Sequence, residues 1–125
     1  MKIFLLHLAV IVFFLPFTVS AITLSLNDVN QKVCDRFESD VSRMAAIMEE
    51  VRDRKGIKET RVAFGGVDTP IKSADYQITY VAEAIAFQRA QKYPSEAALK
   101  SSLEILKGKI LQAKTQVRKV LDSNE

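Results

Sequence analysis

The chain has 125 residues, with 18 Lys and Arg against 15 Asp and Glu and a net charge of +3. A balance this even argues against nucleic acid as the main partner, because phosphate neutralisation needs a concentrated basic surface. One cysteine, Cys34, and one histidine, His7, supply neither a disulfide framework nor a zinc cage.

Residues 1–21 carry the parts of a secretory signal peptide. These are Lys2, the apolar run from Ile3 to Leu15, the helix-breaking Pro16 and the small-residue end Val19-Ser20-Ala21. Cleavage after Ala21 would place the mature chain outside the cytoplasm, in a periplasm, on a cell surface or in the medium. The alternative is an uncleaved single-pass anchor, since a bilayer crossing needs roughly 20 apolar residues and Ile3 to Leu26 supplies about that length. Membrane contact would then run through this segment. Against the anchor, Pro16, Thr18 and Ser20 interrupt its second half, and no basic cluster beyond Lys2 flanks it. Cleavage also removes His7 and, with Lys2, one positive charge, so the +3 of the full chain becomes +2.

Ile22 to Glu125 forms one domain by size. In an exported chain Cys34 is either buried and inert or joined to a second chain by an intermolecular disulfide. Its neighbours Val33 and Phe37 favour burial, as is usual for free cysteine.

The first helix spans about 26–55. Ser25 caps it, and Asp28 lies near the positive end of its dipole. Leu26, Val29, Val33, Phe37, Val41, Met44, Met48 and Val51 recur in steps of three and four, as one apolar face requires. Arg52, Arg54 and Lys55 precede Gly56, which terminates the helix. The connector 56–69 contains Phe64, Gly65 and Gly66. A loop of this length is often functional. Phe64 there is either a lid on the end of the bundle or an anchor for a partner.

The second helix spans about 70–93. Asp68 or Thr69 caps it and Pro70 takes the first position, where no N–H is needed. Ile71, Ala74, Ile78, Val81, Ala82 and Ile85 form its stripe, and Pro94 ends it by disfavouring a helical Tyr93. Its alanines allow close approach by neighbours, which suits a central element. The third helix spans about 95–122, with Ser95 as cap. Leu99, Leu103, Leu106, Ile110, Ala113, Val117 and Val120 alternate steps of four and three, a heptad seam. Lys100, Lys107 and Lys114 repeat along one flank, and Gly108 falls opposite the seam. The short link at Tyr93-Pro94-Ser95 makes helices two and three antiparallel neighbours. The expected fold is therefore all-α: an up-down-up bundle of three amphipathic helices or, failing that, an elongated helical hairpin that dimerises.

Chemistry-bearing patterns are scarce. Gly65-Gly66 lacks both G-x-G-x-x-G spacing and a Lys-Ser/Thr pair, and Asp68 would repel an anion there. Glu49, Glu50 and Asp53 alternate with Arg52, Arg54 and Lys55, as on a solvated, salt-bridged face. Cys34 has no histidine to act as its base once His7 is removed. No catalytic, cofactor or metal residues are assigned, and the chain reads as a non-enzyme. Tyr76 and Tyr80 lie one turn apart and off the Ile78–Val81 stripe. They are either partly buried between helices or a contact patch, and a pocket formed by them with Met48 would instead indicate a ligand carrier or small enzyme. The lysine flank of helix three offers a further alternative, a basic amphipathic helix on a membrane surface, but the same seam serves as bundle core.

In layout, a signal peptide followed by cysteine-poor amphipathic helices resembles small, uncharacterised exported helical proteins of bacteria. The resemblance covers general organisation and carries no motif. The functional expectation is an exported non-catalytic bundle acting by protein–protein contact or self-association, with Phe64, Gly65, Gly66, Tyr76 and Tyr80 as contact residues and Cys34 as the candidate cross-link.

Overall fold

Three helices carry the apolar stripes: α1 (Leu26–Arg54), α2 (Thr69–Ala90) and α3 (Glu96–Asp122), in a computed structural model that describes residues 25–56 and 69–123. The N-terminal segment, its Ala21 cleavage site and the connector with Phe64, Gly65 and Gly66 lie outside the described residues. With 29, 22 and 27 residues, the helices run about 44, 33 and 40 Å.

Their ends follow local chemistry. Ser25 Oγ accepts from Asp28 N–H at 3.1 Å while Asp28 Oδ2 accepts from Ser25 N–H at 3.4 Å, a reciprocal capping box. Gly56, at φ +69°, takes the left-handed conformation just past α1 that a β-carbon would oppose. Ser95 Oγ accepts from Ala98 N–H at 3.1 Å to start α3. α2 ends at Ala90 rather than at Tyr93. The early stop has a cause in α1, whose side chains take the last carbonyls of α2. Asn30 Nδ2 donates to the Gln88 carbonyl and Gln31 Nε2 to the Arg89 carbonyl, each at 3.0 Å. Residues 91–93 are then free to cross to α3 without helical geometry.

Polar contacts give the helix directions. Asn30 meets Gln88 while Arg52 meets Asp75, so α1 and α2 are antiparallel. Ser73 bonds Gln116 and Ser102 bonds Gln88, so α2 and α3 are antiparallel as well. Every pair of helices is in contact, with α2 the most extensively packed. The fold is the up-down-up bundle, and the dimerising hairpin is set aside because α1 packs on both of the other helices.

The core follows the stripes in α2 and α3, except that Ala82 is exposed and Leu103 half-buried at the borders of their stripes, and it departs from them further in α1. Ile71, Ala74, Ile78, Val81 and Ile85 meet Leu106, Ile110, Ala113, Val117 and Val120, together with Val41, Met44, Met48 and Val51. Val29, Val33 and Phe37 are only half-buried, and Asn30 and Cys34 take the inward positions at that level. The steps 29, 33, 37, 41 are all of four residues. At about 100° per residue each advances the stripe by about 40°. Val29 therefore lies about 120° around the helix from Val41, and both cannot face the same axis. The early valines lean toward α3, while Phe37, about 40° from Val41, still packs against the core. The opposite border of α1, with Gln31, Asp35 and Glu38, leans toward α2.

At the Asn30 level the bundle is joined by a buried polar chain. Asn30 and Gln88 are 1 % and 5 % exposed. Gln88 Nε2 donates to Asn30 Oδ1 at 2.9 Å, Ser102 Oγ donates to Gln88 Oε1 at 2.6 Å, and Tyr93 Oη lies 2.8 Å from Ser102 Oγ. All three helices and the α2–α3 link are thus bonded through four side chains. Among the described residues no buried side-chain nitrogen or oxygen lacks a partner, as polar burial requires.

Candidate partner-binding surface

The residues a bundle needs least gather on the outer face of α2 and α3. Tyr76, Tyr80, Glu83 and Phe87 follow one another at i, i+4, i+7 and i+11, so one strip of α2 presents them together. They lie off the Ile78–Val81–Ile85 stripe, and packing pulls the latter inward. Tyr76 and Phe87 are 67 % and 68 % exposed, Tyr80 is 41 % exposed, and Ile105 of α3 is 62 % exposed. The two tyrosine rings are nearly parallel, with centroids 6.3 Å apart and planes 10° from one another. Lys109 Nζ sits 5.3 Å from the Tyr80 ring centroid, a cation–π contact that holds α3 against this face.

Beside the tyrosines runs an open groove of about 440 Å³, with Tyr80, Glu83 and Phe87 on one wall and Ser102, Ile105 and Lys109 on the other. Its floor includes Ala84 and the edge of Leu106. The surface offers flat aromatic faces, one cation, one carboxylate and two phenol hydroxyls. This is the composition of a contact surface, in which Tyr supplies apolar area and a polar tip together. Met48 is fully buried in the core and does not line this groove, so Tyr76, Tyr80 and Met48 do not share a pocket. Tyr76 and Tyr80 are exposed rather than partly buried between helices. Phe64, Gly65 and Gly66 lie outside the described residues.

Cys34 is completely buried, its thiol 3.8 Å from Asn30 Oδ1. Burial pushes the thiol above its ordinary pKa; Arg89 opposes this, and Asp35 and Glu38 add to it. A disulfide to a second chain would require α1 to leave the bundle. Arg89 itself is a clamp that periodicity alone gives no reason to expect. Its guanidinium donates to Gln31 Oε1 at 3.0 Å, Asp35 Oδ1 at 2.7 Å and Glu38 Oε2 at 2.8 Å. The hydrogen bond that Arg89 donates to Asp35, with both carboxylate charges, raises the Arg89 pKa further.

Other ion pairs run across and along helices. Arg52 meets Asp75 at 2.7 Å, Lys114 meets Asp40 at 2.9 Å, and Arg54 meets Glu50 one turn away at 2.7 Å. Arg52 thus reaches α2 instead of joining the acidic residues around it. Among the described residues no three His, Cys, Asp or Glu side chains converge to hold a metal ion. Among them too, no helix is long and apolar enough to cross a membrane. The chain matches no family model, no curated protein and no solved structure.

Proposed function

We propose that this chain is an exported, non-catalytic helical bundle that acts by binding another protein through the Tyr76–Tyr80–Phe87–Ile105 face. The observation that carries the reading is a groove lined by the exposed Tyr80, Phe87 and Ile105, extended along α2 by the exposed Tyr76 stacked on Tyr80. Apolar side chains scattered singly over a surface are ordinary, whereas a contiguous patch with a polar rim marks a contact site. Export follows from residues 1–21, and an intact mass beginning at Ile22, measured on protein from its own cells, is the expected result. A mass retaining Met1, together with a detergent requirement for extraction, would favour the anchored alternative. The lipid-surface role for α3 is less well supported, because Leu106, Ile110, Ala113, Val117 and Val120 are buried in the bundle.

The binding reading is tested by the double variant Tyr76→Ser/Phe87→Ser. Both side chains are mostly exposed, so unfolding stability should stay within about 0.5 kcal/mol of wild type. Affinity for a protein captured from envelope extract should fall at least about tenfold, the loss expected of aromatic anchors. Unchanged affinity would remove this face from the function.

A further inference from the structure

A second surface, on the other side of the bundle, points to a different partner. Val29, Val33 and Phe37 of α1 line an apolar groove of about 320 Å³ between α1 and α3, with Leu99 and Leu103 on the α3 side. Leu99 is 2 % exposed yet stands apart from the main core cluster. Phe37, which packs against that cluster, joins the apolar strip of the groove to the core.

Glu96, Lys100, Glu104 and Lys107 line the same groove. They fall within one strip of α3, spread over about 80°. None of the four forms an ion pair among the described residues. In chain order their signs are minus, plus, minus, plus. Reversed, the order is plus, minus, plus, minus. The strip is therefore complementary to its own antiparallel copy. With a two-fold axis at the level of Ser101 and Ser102, Glu96 opposes Lys107 and Lys100 opposes Glu104, each pair occurring twice. The two pairings are centred half a residue apart, about 0.75 Å along the helix, well within the reach of these side chains.

We propose that a second copy of this chain occupies the α1/α3 groove, forming a symmetric dimer with the two α3 helices antiparallel. Each copy brings the same patch, as a two-fold interface requires. The two apolar strips cover one another, and the α1 and α3 helices of both copies make a four-helix layer. The contact is short, about 17 Å from Glu96 to Lys107. It therefore belongs to the weak class of interfaces, with a dissociation constant on the order of micromolar. It leaves Tyr76, Tyr80 and Phe87 uncovered, so it stands independently of the binding face described above.

The test is sedimentation equilibrium of the protein as its own cells process it, at about 0.05 M and about 0.5 M NaCl, ionic strengths that bracket weak and strong screening. Wild type should dimerise and should do so less at the higher salt. Glu104→Lys sets two like-charged pairs in place of two attractive ones and should weaken the dimer about 30-fold. The charge swap Lys100→Glu/Glu104→Lys should bring it back to within about threefold of wild type. Both positions are exposed, so circular dichroism melts taken well below the dimer's dissociation constant, where association adds no stability, should agree for all three proteins to within about 0.5 kcal/mol. A wild type that stays monomeric to about 1 mM would overturn the proposal. So would a dimer indifferent to Glu104→Lys, a dimer lost in Tyr76→Ser/Phe87→Ser, or a swap that fails to rescue. A groove filled instead by another protein would show as a monomer bound to that protein, which equally refutes self-pairing.

Discussion

Replacing Asn30 by alanine should be among the most damaging single changes in this bundle, although the residue is polar. In the native state its amide donates to the Gln88 carbonyl at 3.0 Å and accepts from Gln88 Nε2 at 2.9 Å, with both side chains out of solvent. The Gln88 carbonyl keeps a bond from Gln91 N–H at 3.2 Å, so its loss is one ordinary hydrogen bond, about 0.5–1.5 kcal/mol. Among the described residues Gln88 Nε2 has no other acceptor, and a buried orphan donor costs about 1–3 kcal/mol. Together these predict a destabilisation of about 3 kcal/mol. For a domain of this size that lowers Tm by roughly 12–24 °C. Urea unfolding followed by circular dichroism measures it, with Gln88→Ala and the double variant completing a cycle. The two single effects should exceed the double by about 1–2 kcal/mol, since they share one bond. A loss below about 1 kcal/mol at unchanged denaturant slope would refute the reasoning, because the pair would then contribute no more than an exposed contact.

Gly108→Ala should raise stability by about 1 kcal/mol: the glycine lies inside α3, and nothing comes within 4 Å of where a β-carbon would stand. A rise in Tm of roughly 4–8 °C checks it, and no rise would mean the helix is strained there. The buried Cys34 thiol should resist alkylation in native protein at about pH 8 and react at once in urea, because the thiolate is the reactive form. Its raised pKa also sets a pH dependence. The folded thiol holds its proton more tightly than the unfolded one, so stability is full at neutral pH and falls as pH climbs past about 8.5. Wild type should lose more stability than Cys34→Ala between about pH 7.5 and pH 10; equal losses would show that the thiol does not titrate in this range.

How well the sequence foretold each helix depended on the regularity of its stripe. In α3 the alternation of four and three keeps the seam nearly on one line, and Leu99, Leu106, Ile110, Ala113, Val117 and Val120 are buried while Leu103 is half-buried. In α1 three consecutive steps of four let the stripe drift, which spacing alone conceals unless the angle is summed. Ser25, Gly56 and Ser95 act at helix ends because their chemistry is local. The Asn30–Gln88–Ser102–Tyr93 chain and the Arg89 clamp were not legible. Their partners lie 14 to 58 residues apart in most of these bonds, and polar residues on a helix give no periodic sign of burial. One clue existed: Asn30 and Cys34 lie on the same α1 face as Val41 and Met48 once the drift is followed. At the candidate contact face, the i, i+4 spacing of Tyr76 and Tyr80 was visible, but Ile105 and Lys109 joined it only through the antiparallel packing of α3.

Three amphipathic rods joined in series can close in two mirror-related ways, with the third lying to the left or the right of the hairpin made by the first two. Apolar stripes alone scarcely distinguish these, since oil meets oil in either. The two borders of α1 do distinguish them. One carries Gln31, Asp35 and Glu38 for Arg89, and the other carries Val29, Val33 and Phe37 for Leu99 and Leu103. In the mirror closure Arg89 would confront valines and its two carboxylates would face leucines. The polar residues of α1 therefore choose the handedness of the whole molecule. Removing them, as in Gln31→Leu/Asp35→Leu/Glu38→Leu, should give a helical protein with doubled amide resonances, one set for each hand; a single set would show that the apolar surfaces choose the hand unaided.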